Sequence, residues 1–325
     1  MRSEGLPDEE FTLFNIVGKR YYFFALSTLI IVPGLIALAL WGLRPSIDFT
    51  GGSLLDLRFD NPTEALQADD IRSTLDELGH PGSVVQLSEE NTVLIRAQTL
   101  DNEQKNEIQA ALGQRYGTEP VEQRFEAVGP AVGNQVTRGA IFAVVAATLG
   151  ILGYLTLAFR NVEHPLRYGI ITVAAMLHDV LIVLGLAALA GHFLGWEVDA
   201  LFLTALLTVI GFSVHDSIVV FDRVRENMIT HRGEPFEAIV NHSVVQTLDR
   251  SINTQLTALF TLVALFLFGG ATIQQFVLWL IIGIISGTYS SIFNAAPLLV
   301  AWENGELGRL FGRRRGPDTT KPAAA

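Results

Sequence analysis

Asp216 is the side chain best placed to do chemistry in this chain of 325 residues. It lies in the stretch Thr204–Asn227, TALLTVIGFSVHDSIVVFDRVREN, which begins as an uncharged apolar helix and ends in a cluster of charge. A charged side chain near the centre of a bilayer costs roughly 2.5–3.5 kcal/mol on insertion scales, so it persists only where it faces protein or water. Helical spacing puts Ser213, Asp216, Ser217 and Val220 on one face, and that face wants a polar partner. A second acid, Asp179, follows His178 halfway along another apolar run. Arg250 opens a third, with Thr254, Thr257 and Thr261 behind it at helical intervals. A nearby arginine favours the ionised carboxylate and burial disfavours it. A carboxylate held between those two effects can exchange a proton, which is the chemistry of a relay. In this reading Asp216, Arg250 and Asp179 form the proton relay, with His178, His215, Ser213, Thr254 and Thr257 as candidate support.

Blander roles stay open for the same residues. Arg250 could snorkel to headgroups from a helix end. Asp179 and His178 could be a structural pair that locks two helices, and the threonines could bond back to their own backbone.

Composition frames these residues. Half of the chain is hydrophobic and 17% is charged, against about a quarter charged in a typical soluble domain. The chain therefore reads as an integral membrane protein. The net charge of −11 is misleading as a sum, because acid gathers in one soluble segment and base elsewhere. With no cysteine there is no disulfide, thiolate metal site or cysteine nucleophile. No basic domain points to nucleic acid, and no cofactor or metal is expected, protons serving as the coupling ion.

In chain order, residues 1–20 form an amino-terminal lead-in and the run over 21–43 is the first transmembrane helix, long enough to cross and too long for a signal-peptide core, with a kink expected at Pro33-Gly34. Residues 44–134 read as a small water-soluble α+β domain. Its elements are a strand (Ser53 to Phe59), a helix (Ala68 to Leu78), strands at Ser83 to Leu87 and Asn91 to Ala97, a helix (Asn102 to Tyr116) and a strand (Pro120 to Ala127). That order, βαββαβ, is the ferredoxin-like one. Five further spans are expected near 139–159, 168–190, 200–221, 251–268 and 276–302. An amphipathic helix over 235–248 is expected along the cytoplasmic interface, and a disordered basic tail over 303–325. Gly283 and Gly287 have the spacing that lets helices approach closely. Arg160 and Arg167, Arg223, Arg225 and Arg232, and Arg313 to Arg315 all fall in the connections of one side, which predicts both termini cytoplasmic and the soluble domain outside.

Several stretches together carry a family resemblance: SIDFTGG (Ser46 to Gly52), VGPAVG (Val128 to Gly133), His178-Asp179, GFSVHDSIVVFDRVREN (Gly211 to Asn227), QTLDRSINT (Gln246 to Thr254) and GTYSSIFNAAPLL (Gly287 to Leu299). The sequence resembles the SecF branch of the SecD/SecF family of protein-export membrane proteins, in the resistance-nodulation-division superfamily. The resemblance implies six spans and one outer ferredoxin-like domain. It also implies a multi-pass protein of the bacterial plasma (inner) membrane that uses the proton gradient to help draw secreted chains out. The implied partners are a separate SecD-type subunit, the SecYEG channel, YajC, the unfolded exported polypeptide and membrane lipids. It places the family's key Asp on Asp216, its key Arg on Arg250 and its His-Asp position on His178-Asp179.

Two other function classes meet the same residues. One is a proton-coupled exporter of small or lipidic molecules from the same superfamily, usually a duplicated six-span chain. The other is an intramembrane aspartyl protease in which Asp179 and Asp216 share one proton. A passive scaffold for a SecD-type partner is a further reading.

Overall fold

The computed structural model describes residues 15–88 and 91–306. Residues 1–14 and the expected tail beyond residue 306, with Arg313 to Arg315, lie outside the described residues. Among the described residues two compact units are formed, one from 15–43, 144–196 and 204–306, the other from 44–143 and 197–203.

Among the described residues six helices are long and apolar enough to cross a membrane: Val17–Trp41, Pro130–Ala158, Pro165–Phe193, Ala200–Thr230, Phe236–Phe268 and Ile273–Glu303, numbered here as spans one to six. The first runs from Arg20 to Trp41 as unbroken helix with Pro33 inside it. Gly34 beside that proline explains a close crossing, since a Cβ placed there would stand 2.9 Å from the Gly185 Cα on the third span. Backbones meet where neither residue has a side chain. The paired glycines of the sixth span act similarly toward the fourth. A Cβ at Gly283 would run into Val209, and one at Gly287 would come within 3.2 Å of Ser213. The apolar core of this unit gathers Leu155, Phe159, Tyr168, Ile171, Val220, Phe221, Val224, Val240 and Val244 with Ala295, Ala296 and Leu299.

One expectation is overturned. The amphipathic segment over 235–248 is not a helix of its own; Phe236–Phe268 is a single helix of 33 residues, with Pro235 as its N-cap. The apolar stripe read from the sequence exists, but Ile239, Val240 and Val244 are buried among residues of the other spans, with Phe236 and Leu248 packed partly against them. Burying that stripe in protein satisfies the same hydrophobic demand that an interface would meet. At about 1.5 Å per residue the helix is about 50 Å long, more than one hydrocarbon thickness.

The end of this unit that holds the first residues of span one is tied by charge. Arg20 bonds Glu237 at 2.9 Å and Glu306 at 2.6 Å, Tyr21 donates to Glu306 at 2.7 Å, and Arg167 pairs with Glu303. Asn241 Oδ1 accepts the backbone N–H groups of Ile16 and Val17. The Arg20 guanidinium hydrogen-bonded to Glu306 holds that carboxyl down to about 2.

The other unit has the element order read from the sequence. Strands β1 (Gly52–Arg58), β2 (Val84–Ser88), β3 (Thr92–Ala97) and β4 (Val121–Val128) form one sheet in the order β2-β3-β1-β4, every neighbouring pair antiparallel. Helices Ala68–Glu77 and Asn102–Tyr116 contribute Ile71, Leu75, Ile108 and Leu112 to a core shared with Leu55, Leu57, Val93 and Ile95. Leu55 faces Ile95 and Leu57 faces Val93 across β1 and β3, so the period-two pattern puts one sheet face on the helices. Asp101 and Gln104 form a capping box at the start of the second helix.

Two of the motifs singled out in the sequence meet at the edge of this sheet. Gly51 and Gly52 have φ of 72° and 124°, backbone that favours glycine. A Cβ on Gly51 would lie 2.8 Å from the Pro130 Cα, and one on Gly133 would lie 2.7 Å from the Gly51 nitrogen. The glycines of SIDFTGG and VGPAVG thus let two chain segments touch at the root of the second span. Nearby, Asp48 Oδ2 accepts the Ala200 N–H at 2.9 Å and Asp199 Oδ1 accepts the Phe202 N–H at 2.7 Å, so two carboxylates cap the start of the fourth span.

Two tests follow from this packing. Gly133→Ala should destabilise the protein by roughly 1–3 kcal/mol, the cost of a methyl group forced on backbone, read as a lower midpoint of thermal unfolding in detergent; an unchanged midpoint would contradict the close approach. Glu306, with its folded-state value below the ordinary 4.5, contributes stability that is present above that value and is lost as pH falls through about 2. The unfolding midpoint of the wild type should therefore fall more steeply than that of Glu306→Gln between those two pH values, and equal slopes would remove the ion-paired role.

Candidate functional site

Asp179 and Asp216 are both buried, and most of the groups that answer them are ones the sequence reading did not place there. Asp179 on the third span is 1% exposed. Its Oδ2 accepts from the Ser213 hydroxyl and the Ser290 hydroxyl, each at 2.6 Å, and its Oδ1 accepts from the Ser286 hydroxyl at 2.7 Å. His178 Nδ1 lies 3.0 Å from Oδ1. Ser213 comes from the fourth span, Ser286 and Ser290 from the sixth, so one carboxylate joins three helices. The close approach at Gly287 brings those two spans within hydroxyl reach.

The network continues from His178. Its Nε2 lies 3.0 Å from Asn294 Nδ2, which can only donate, so the ring proton belongs on Nδ1 and points at Asp179. Asn294 also donates to Ser27 Oγ at 2.8 Å, and the Tyr289 hydroxyl donates to the Phe23 carbonyl at 2.9 Å. Asn294 stands in a π-turn, Ser291–Ala295, that interrupts the sixth span directly after Ser290. Such interruptions cluster at functional positions. Here Ser290 is turned to Asp179 and Asn294 to His178 and the first span. A cavity of about 500 Å³ reaches this point, lined by Ser27, Thr28, Ala174, His178, Asn294 and Leu298.

Asp216 on the fourth span is 2% exposed, and Ser213, Ser217 and Val220 share its buried face as the spacing predicted. Its Oδ2 accepts from Gln255 Nε2 of the fifth span at 2.5 Å. Gln255 is 3% exposed, its Oε1 is buried with no hydrogen-bond partner among the described residues, and the same holds for the Ser251 hydroxyl one helical turn earlier.

Arg250 does not answer Asp216 here. It is exposed and makes no ion pair among the described residues. Thr254, Thr257 and Thr261 are exposed too, and each hydroxyl bonds back to the carbonyl four residues earlier. The expected threonine ladder therefore lines the face of the fifth span opposite to the one that meets Asp216. His215 is likewise exposed. The two acids do not form a dyad sharing one proton. Asp179 has its oxygens on three serines and His178, and Asp216 has Oδ2 on an amide. Among the described residues no three His, Asp or Glu side chains gather as metal ligands.

Sequence reasoning missed Gln255, Ser251 and Ser286. A usable signal existed: a hydroxyl in a helix can satisfy itself on the preceding turn, whereas glutamine is too long and must find a partner elsewhere. Gln255 marked the facing side where the threonines did not, although the shorter amide of Asn253 is exposed.

Six apolar helices, a small antiparallel α+β unit and carboxylates buried among hydroxyls and an amide define a polytopic membrane protein built around an intramembrane acid site. Residues 108–305 match the family described as "Protein export membrane protein SecD/SecF, C-terminal", and residues 37–63, which hold the Gly51-Gly52 pair, match the SecD/SecF GG motif. The chain belongs to the SecD/SecF family. It is 50% identical to the protein translocase subunit SecF of Thermobaculum terrenum over 96% of this chain and 99% of that one. It is 33% identical to the SecDF of Bacillus subtilis, covering 93% of this chain and 40% of that longer protein. The crystal structure of SecDF from Thermus thermophilus superposes with a TM-score of 0.75 at 35% identity, over 90% of this chain and 39% of that one.

The serine cage makes a graded prediction. Asp179→Asn sets an N–H₂ group against two of the four donors and should cost roughly 2–4 kcal/mol, while Ser286→Ala should cost about 1 kcal/mol. Thermal unfolding followed by tryptophan fluorescence checks both, and equal, negligible shifts would show that the cage does not hold the bundle.

Proposed function

We propose that this chain is a non-enzymatic accessory subunit of the secretory protein translocase that pairs with a SecD-type subunit and uses the proton gradient to promote protein export. One observation carries the proton part: Asp216, inside an apolar span and almost fully buried, is met by a neutral amide and not by a cation. An acid left without a counter-charge in a low-dielectric bundle is one whose charge can be removed by a proton. Asp179, whose two oxygens each accept two hydrogen bonds, is braced in place and serves as the hub between the third, fourth and sixth spans.

Pairing with a SecD-type subunit has its own support. The relatives from Bacillus subtilis and Thermus thermophilus are single SecDF chains of which this one covers about two fifths. Arg250, Thr254 and Thr257 form an exposed polar stripe on a membrane helix, and a charged group in a span is retained where protein or water meets it. We assign that stripe to the seam with the second subunit, where Arg250 can influence the proton site. The SecYEG channel, YajC and the exported unfolded chain are further proposed partners. The arginine-rich connections support placement in the bacterial inner membrane with both termini cytoplasmic and the α+β unit, read as ferredoxin-like, outside.

Proteoliposomes holding this protein, its SecD-type partner and the channel test the reading. Asp216→Asn should abolish the acceleration of export by an imposed proton gradient, at least a tenfold loss by the range found for single proton-transfer groups, about 10²–10⁴. Export that responds to the gradient as strongly in this variant as in the wild type would leave only a passive scaffold.

A further inference from the structure

Gln255 is an amide with its nitrogen in use and its oxygen idle among the described residues. Its N–H₂ group donates to Asp216 Oδ2 at 2.5 Å, while its Oε1 and the Ser251 hydroxyl on the same helix face are buried without partners among the described residues. Leaving a buried acceptor unpaired is costly, so two such atoms beside one carboxylate call for a state in which they are used.

The second protonation state of Asp216 supplies it. An ionised carboxylate only accepts, and the amide N–H₂ suits it; a carboxylic acid must also donate its O–H, and then the amide oxygen suits it. Both come from one side chain by a half turn about the last torsion, which has a broad, roughly two-fold profile. We propose that Gln255 is the positioning residue of the Asp216 proton site, its amide donating to the carboxylate and, once turned, accepting from the acid while its N–H₂ passes to Ser251. The inference rests on the reading of Asp216 as the proton carrier.

One proton arrives on Asp216, the O–H···Oε1 bond replaces N–H···Oδ2, and the freed N–H₂ turns to the side of the fifth span that carries Ser251, four residues earlier. Uptake of a proton on the fourth span is thereby written as a changed hydrogen bond within the fifth, the helix that carries Arg250. The titratable groups around the site fit this assignment. His215 is the next residue and exposed, Asp249 and Arg250 are exposed on the fifth span, and Asp179 with His178 is linked through Ser213, which already donates to it. The sixth span brings serines only to that hub. None of these supplies a switchable donor and acceptor to Asp216. A lysine or arginine in place of Gln255 could only donate, and would hold the carboxylate ionised.

Infrared difference spectroscopy across a pH step, on the protein reconstituted with its SecD-type partner, reads both groups at once. In the wild type the carboxylic-acid band of Asp216, assigned by its loss in Asp216→Asn, should rise together with a shift of the Gln255 side-chain amide band, assigned by isotope-labelled glutamine and its loss in Gln255→Met. Gln255→Met, of similar length and without hydrogen bonds, should move the Asp216 band to the frequency of a non-bonded acid and slow proton flux by at least about tenfold, the fold-change expected for one hydrogen bond to a charged group. An amide band that stays silent while Asp216 titrates overturns the inference, a result that needs no variant to fold. So does wild-type flux in Gln255→Met when Asp216→Asn is inactive, which leaves the proton carrier standing. Full flux in Asp216→Asn would instead remove the carrier itself.

Discussion

A carboxylate taken out of water must be given donors, and the spans of this protein are arranged by that requirement. Burying an ion in a low-dielectric interior costs several kcal/mol after relaxation, and only well-placed hydrogen bonds recover it. Asp179 recovers it with three serine hydroxyls and a histidine drawn from its own and two other helices. The fourth and sixth of those helices can come so close because Gly283 and Gly287 face Val209 and Ser213. Small residues in these spans are the means by which short hydroxyl side chains reach an acid on another helix.

The two acids of the bundle are built to opposite ends. Asp179 has both oxygens saturated by donors and a tautomer of His178 fixed by Asn294, which favours a fixed geometry. Asp216 stands one helical turn from Ser213 and has an amide partner with an unused acceptor. The first arrangement suits a hub and the second suits a group that changes state. The π-turn after Ser290 serves the anchor by aiming Ser290 and Asn294 at neighbouring groups on the third span.

The root of the second span and the start of the fourth are likewise a matter of close approach and of capped helix ends. Gly51 and Gly133 let the segment after the first span touch the root of the second. Asp48 and Asp199 satisfy backbone N–H groups at the start of the fourth span, the helix that carries Asp216. The motifs by which the family is recognised therefore have a local physical reason that is independent of proton chemistry.

The amino-acid sequence by itself determined the six apolar helices, the βαββαβ order, the buried face holding Ser213, Asp216 and Ser217, and the family, because hydrophobic periodicity and glycine motifs are local and survive in one dimension. It also singled out both acids, since a charge within an apolar run is visible without coordinates. Only the tertiary structure decided what answers them. Arg250 and the threonines have the right types and spacing yet lie on the outer face of the fifth span, while Ser251 and Gln255, one face around, meet the acid. The continuity of Phe236–Phe268 was hidden for a similar reason: an apolar stripe asks to be buried without saying whether lipid or protein will cover it. Which face of a helix turns inward depends on helices distant in the chain, and a hydroxyl that can bond its own backbone gives no sign of where it points.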